Sequence, residues 1–166
     1  MKPHSLTIRL ATRADVADIA AMSRDEIERG LGWSWTEPRV ARAVASADTN
    51  VIVAGAPGAI AGFGIMSYAE EHAHLMLFAV AAAHRRQRVG SGMLEWLERV
   101  ARDAGMRTIR VECRRTNEAA RNFYGEHGYE EVAINRGYYQ RVEDAVGLQK
   151  HLFTKTDPSP DPSAPR

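Results

Sequence analysis

Residues 74–100, "HLMLFAVAAAHRRQRVGSGMLEWLERV", constrain the fold more than any other stretch of the chain. Leu75 to Val80 are continuously apolar, a pattern that suits a central strand covered on both faces. The run leads into Arg85, Arg86, Gln87 and Arg88, and then into Gly90 and Gly92. Met93, Leu94, Leu97, Val100 and Ala101 follow at helical spacing until Gly105 ends the helix. Such an order sets the free N–H groups of a first helical turn, and the positive end of its dipole, beside three arginines. The loop is built to hold an anion, yet the same residues also make an ordinary solvated basic turn. Its neighbours have to decide.

Before this stretch, "LTIRLA" alternates as a strand. Thr12 and Asp15 then form a capping-box-like start to a helix that Gly30 stops. "LGWSW" reads as a loop, and a short helix runs on from Thr36 with Pro38 in its first turn. "NVIVAG" and "AIAGFGIMSYA" are strands around the turn residues Pro57 and Gly58. After it, "TIRVEC" is a strand with Ile109, Val111 and Cys113 on one face and Arg110 and Glu112 on the other. Asn117 caps a helix that Gly128 closes, and "YEEVAI" and "DAVGLQKHL" are the last two strands. The expected order is β-α-α-β-β-β-α-β-α-β-β. This is an α/β fold with a mixed, largely antiparallel sheet flanked by helices and one parallel crossover between residues 74 and 113. Residues 1–154 are expected to form one domain, and 155–166, with four prolines and no apolar pattern, a disordered tail.

Composition excludes several classes of function. A net charge of +1, and no aromatic residues interleaved among Arg85, Arg86, Arg88, Arg107, Arg110, Arg114 and Arg115, argue against a nucleic-acid binder. The lone cysteine, Cys113, allows neither an intramolecular disulfide nor paired-cysteine metal ligation, so no metal site is expected. No apolar run approaches the ~18 residues of a membrane span, and no apolar leader opens the chain, so a cytoplasmic location without membrane partners is expected.

Two segments acting together carry more information than the loop alone. "NEAARNFYGEHGY" places Asn117, Ala120, Tyr124, Gly128 and Tyr129 on the pattern N-x-x-A-x-x-x-Y-x-x-x-G-F/Y. The loop before it carries Q/R-x-x-G-x-G/A in one of two frames. One frame reads Gln87, Gly90 and Gly92. The other, which needs no insertion, reads Arg85, Arg88 in place of the first glycine, and Gly90, with Met93 and Leu94 on the apolar pair. With this pair of motifs the chain resembles the GNAT superfamily of acyl-coenzyme A N-acyltransferases. The resemblance spans residues 7–152 in element order and is specific over 74–145. Its nearest pattern is that of the ribosomal-protein alanine N-acetyltransferases, whose "LEVR" is similar to "VECR" here.

The resemblance implies acetyl transfer from acetyl-coenzyme A, as cosubstrate, to a primary amine by direct attack. It implies that the pantetheine arm lies along Phe78, Ala79 and Val80. The pyrophosphate would lie on the N–H groups of Arg86, Gln87, Arg88, Val89, Gly90 and Ser91, with Arg85, Asn117, Ala120 and Tyr124 also lining the cofactor. An arginine at position 88 offers a backbone N–H at negative φ but is a poor substitute for a glycine that needs φ > 0. Glu112 is the implied base; the alternative is that it only pairs with Arg110. His72 and His74 are rival bases. Tyr124 is the implied acid, and the alternative is a core aromatic packed beside Phe123. Trp33, Trp35, Tyr138 and Tyr139 lie where the superfamily shapes acceptor pockets. The acceptor is a small-molecule amine or a peptide N-terminus, and a homodimer is compatible with the pattern. A competing class is a non-catalytic acyl-coenzyme A sensor, which Arg88 favours.

Overall fold

The computed structural model describes residues 6–153, so the expected tail lies outside the described residues. Seven strands form one sheet: β1 (Ile8–Leu10), β2 (Thr49–Ala56), β3 (Ala59–Ala69), β4 (His72–Val80), β5 (Thr108–Arg114), β6 (Glu130–Tyr139) and β7 (Glu143–His151). Their spatial order is β1-β2-β3-β4-β5-β7-β6. Only β4 and β5 pair in parallel, across the crossover helix α3 (Val89–Asp103). The other helices are α1 (Val16–Met22), α2 (Glu37–Ala45) and α4 (Glu118–Glu126).

The sheet is covered on both faces, as the apolar run of β4 requires. On one face α3 and α4 cover a core that includes Met66, Leu75, Leu94, Leu97, Ile109, Val111 and Tyr124. On the other, α1 and α2 cover Val51, Val53, Phe63, Ile65, Leu77 and Ala79. Within β4, Ala73 and Leu75 face the first core, whereas Leu77 and Ala79 face the second. A plain strand would keep all four on one side. A bulge at Met76 makes the switch: Leu75 pairs with Met66 and Leu77 with Ile65, leaving Met76 as the extra residue.

Two local departures from the expected elements have physical causes. The helix expected to run to Gly30 instead begins with a 3-10 turn at Arg13–Asp15 and ends in a π-turn at Ser23–Ile27. The wide turn is held by the Glu28 N–H donating to the Ser23 carbonyl (2.8 Å). Arg114 of β5 donates to the carbonyls of Ile27 (2.8 Å) and Arg29 (2.7 Å). On α3, Glu98 takes a buried position and Val100 is only partly buried. The Glu98 carboxylate is satisfied there by Lys150 (2.9 Å) and the Tyr129 hydroxyl (3.2 Å).

Asp15 is fully buried and locks β1 to α1. It accepts two hydrogen bonds from Arg9, each 2.8 Å, and one from the Thr12 N–H at 2.8 Å, which is the capping contact expected at this start. The Arg9 guanidinium, reinforced by the Thr12 donors, holds the Asp15 carboxyl below the usual carboxylate range despite burial. A depressed carboxyl stabilises the fold fully above its unfolded pKa, and that stabilisation is lost as pH falls through the folded value. Asp15→Asn is therefore expected to lower the unfolding free energy at pH 7 by about 1.5–3 kcal/mol, the worth of a hydrogen bond to a charged group. The difference from the parent should shrink below about pH 4. Urea denaturation at both pH values checks it; an equal difference at both would remove the ion pair as the cause.

Candidate active site

The site lies where the parallel pair parts. β4 and β5 are hydrogen-bonded from His72↔Thr108 to Leu75↔Val111 and no further. Each strand continues, β4 against β3 as far as Val80↔Gly62 and β5 against β7 as far as Arg114↔Ala145. From Met76 onward the β5-side edge of β4 therefore meets no strand, and its peptide groups face an opening. Phe78 and Val80, both partly buried, lean from this edge toward α3 and α4. Phe78 stacks on Phe123 with ring centroids 5.8 Å apart and stands 6.3 Å from Tyr124.

The two expected catalytic groups flank this opening from opposite faces of the sheet. Glu112 stands on the α1/α2 side of β5. It makes no ion pair with Arg110; His74 Nε2–H donates to its Oε2 at 2.5 Å, and the Tyr138 hydroxyl approaches the same oxygen at 3.4 Å. Burial, reinforced by proximity to this carboxylate, raises the Tyr138 phenol. His72 stands at the far end of β4, opposite Thr108, and is exposed. Tyr124 lies on α4, on the opposite face, and is buried to 5% exposure. Its hydroxyl makes no hydrogen bond among the described residues, and its ring packs against Phe123 (5.3 Å between centroids) and Tyr129 (5.5 Å). Burial, reinforced by the Glu112 charge, pushes the Tyr124 phenol far above its ordinary value, so it keeps its proton.

The loop after β4, expected to hold the pyrophosphate, is of mixed construction. A 3-10 turn at Ala82–His84 leads into it, and α3 starts after Arg88. The Gly92 N–H closes the first helical bond on the Arg88 carbonyl (3.1 Å), which leaves the N–H groups of Val89, Gly90 and Ser91 free of intrahelical partners. Arg88 stands in the left-handed region at φ 61°, ψ 16°, and Arg86 also has φ 61°. Arginine at 88 thus adopts the glycine conformation itself. Arg85, expected beside the cofactor, makes contacts within and beside the loop. Its N–H donates to the Ala82 carbonyl (3.3 Å) and its guanidinium to the Val80 carbonyl (3.3 Å) and to Glu26 of the π-turn. Through these contacts Arg85 braces the loop, with guanidinium N–H groups to spare. Gln87 is exposed, with a long contact to the Ala83 carbonyl (3.4 Å). Asn117 accepts the Ala120 N–H (3.0 Å) as the cap of α4.

On the acceptor side, Trp35 is buried in the α1/α2 core with Arg39 stacked 3.9 Å from its ring. Trp33 remains exposed, with Arg24 at 5.5 Å. Tyr138 and Tyr139 meet edge to face at 5.0 Å, with Tyr138 exposed and Tyr139 half-buried. Two residues that pattern reading overlooks hold this wall. Gln140 bonds both the N–H (2.9 Å) and the carbonyl (2.8 Å) of Gly32, stapling the β6–β7 turn to the tryptophan loop. Buried Glu28 gathers the same loop through Ser23 (3.1 Å), the Ser34 N–H (2.8 Å) and the Trp35 N–H (3.2 Å). The Gln140 staple has no local signal, since Gln140 and Gly32 are 108 residues apart, whereas the Glu28 contacts span only five to seven residues.

The family model of the acetyltransferase (GNAT) family matches residues 18–129. The chain belongs to this family. It is 34% identical over 92 residues to the [ribosomal protein bS18]-alanine N-acetyltransferase of Escherichia coli strain K12, a match that covers 54% of this chain and 62% of that protein. The chain thus matches under two thirds of that relative's length. Among solved structures, Ard1 from Thermoplasma volcanium superposes with a TM-score of 0.79 at 24% identity, covering 90% of this chain and 99% of that one. The PaiA N-acetyltransferase of Thermoplasma acidophilum, solved in complex with coenzyme A, superposes with a TM-score of 0.73 at 16% identity, covering 89% and 99%. These two likenesses establish the fold.

The left-handed Arg88 carries a conformational cost of about 1–2 kcal/mol that glycine would avoid. Glycine adds back roughly 0.5–1 kcal/mol of unfolded-chain entropy. Arg88→Gly is expected to raise the unfolding free energy by about 0.5 kcal/mol. Arg88→Ala, which keeps the strain, should not. Parallel thermal melts check both, and a lower Tm for Arg88→Gly than for Arg88→Ala would show that position 88 is unstrained.

Proposed function

We propose that this chain transfers an acetyl group from acetyl-coenzyme A to a primary amine, with Glu112 as base and Tyr124 as acid. One observation carries the reading: β4 parts from β5 beyond Leu75 and Val111, with Glu112 on one face of the sheet beside this break and Tyr124 on the other. The residues fit the cosubstrate. The open edge of Met76–Val80 offers peptide donors and acceptors to an amide-bearing arm, and the first turn of α3 offers three N–H groups to a pyrophosphate. The bound thioester supplies the electrophilic carbonyl.

The chain's own residues handle the protons. A primary amine is mostly ammonium at neutral pH and needs a base before it attacks. Glu112 takes that proton, and His74, donating to its Oε2, holds the carboxylate toward the opening. As the new C–N bond forms and the C–S bond breaks, the Tyr124 hydroxyl gives its proton to the departing sulfur. The acceptor enters from the face bearing Trp33, Tyr138 and Tyr139. It is a small-molecule amine or a protein N-terminus, the latter in keeping with what the E. coli relative is named for.

A saturable rise in Tm with acetyl-coenzyme A, well above that with ATP, is expected. Tyr124→Phe should keep cofactor binding and lose about 10²-fold or more in kcat. Glu112→Gln should lose a comparable factor near neutral pH, with part of the rate recovered at higher pH where free amine accumulates. Unchanged turnover in Tyr124→Phe would remove its role as acid. Cofactor binding without transfer to any amine in a broad panel would make the protein an acyl-coenzyme A-binding module instead.

A further inference from the structure

His127, at the C-terminal end of α4, reaches the first turn of α3. Its Nδ1 lies 2.8 Å from the Phe123 carbonyl oxygen and its Nε2 lies 3.0 Å from the Ser91 hydroxyl. The Phe123 ring packs on the imidazole with centroids 4.5 Å apart, fixing its plane. A carbonyl only accepts, so Nδ1 carries a hydrogen. In the neutral ring Nε2 is then bare and accepts from the Ser91 hydroxyl. With its hydrogen turned toward His127, that hydroxyl offers only lone pairs to an anion entering the cradle.

Protonation reverses the arrangement. Nε2–H then donates to Ser91 Oγ, the hydroxyl hydrogen is free to turn into the cradle, and a positive charge stands behind it. The charged groups on the adjoining elements are Glu126 beside it on α4, Glu95 one turn past Ser91 on α3, and Arg86 and Arg88 on the loop. Among the described residues no carboxylate lies within 4 Å of the imidazole, so no acid competes with Ser91 for Nε2.

We propose that His127 is a positioning residue of the cofactor site, setting through Ser91 whether the cradle gains a hydroxyl donor, so that phosphate binding tightens as His127 is protonated. The proposal rests on reading Val89–Ser91 as the pyrophosphate cradle. The test is calorimetric binding of dephospho-coenzyme A to the full chain between pH 5.5 and 7.5. This probe keeps the pyrophosphate and lacks the 3′-phosphate, a monoester whose second ionisation near pH 6 would obscure the profile. The expected result is a Kd about five- to tenfold tighter at the acid end, as for a gained charge-assisted donor. In His127→Gln, whose amide donates at every pH, the profile should be flat. Imidazole nitrogen NMR should show the Nδ1–H tautomer when neutral and a His127 titration midpoint that saturating probe moves upward. The same pH profile in His127→Gln, the full profile retained in Ser91→Ala, or an unmoved midpoint would overturn the role of His127 while leaving the cradle intact. No binding by the parent protein at any pH would instead overturn the cradle itself, and this proposal with it.

Discussion

The candidate site depends on a single broken ladder. Had β4 and β5 remained paired beyond Leu75 and Val111, the peptide groups of Met76–Val80 would have been consumed by the sheet, and Glu112 and Tyr124 would stand on opposite sides of a closed wall. The bulge at Met76 is the local device. An extra residue increases strand twist, turns the following side chains to the other face, and ends the match with a neighbour that carries no bulge. The sheet survives because each strand keeps its other neighbour, β3 or β7. The opening therefore leaves the edge hydrogen bonds of one strand pair over a few residues unmade and disturbs neither core.

Three buried carboxylates hold the periphery to this frame, each by a different logic. Asp15 is paired with a single arginine and a backbone N–H and secures the first strand. Glu98 bridges α3 to β7 and to Tyr129. Glu28 accepts hydrogen bonds from Ser23, Ser34 and Trp35 without any cation, and it shapes the loop that carries Trp33. A buried charge held only by hydrogen bonds is intolerant of misalignment, because every unmade bond leaves desolvation uncompensated. The acceptor-side loop is thus held by geometry as well as by packing, and Gln140 extends that hold to the β6–β7 turn.

Most of the fold was legible because its signals are local. Alternation and turn residues place β3 residue for residue, the apolar run marks the body of β4, Gly105 and Gly128 stop their helices in the left-handed region, and Asn117 caps as its side chain predicts. What escaped was non-local or hidden by uniformity. A continuously apolar run has no alternation to reveal the change of face at Met76. The π-turn depends on Arg114, more than 80 residues away. Glu98 reads as a surface residue until Lys150 and Tyr129 are placed beside it. At the candidate site, Glu112, Tyr124 and the loop were visible through motif spacing. Spacing does not reveal which way a side chain is spent: Trp35 packs into the α1/α2 core, and Arg85 bonds Val80 and Glu26.

Arg88 shows how the cradle tolerates the loss of a glycine. The glycine of such a loop is useful for its φ > 0 and not for its missing side chain, provided that space exists where a Cβ would go. Arg88 is exposed, so its side chain meets no packed wall, and only the backbone penalty remains. That penalty is opposed on both sides. The Arg88 carbonyl accepts the first helical bond of α3 from Gly92, and the upstream chain is tied down by Arg85 to Val80 and Glu26. With both ends held, relaxing φ at residue 88 would break a helix-initiating bond or the brace, and each is comparable in worth to the strain it would relieve. The direction of the three free N–H groups is accordingly set by α3 and the Arg85 brace, and glycine chemistry at position 88 is dispensable to it.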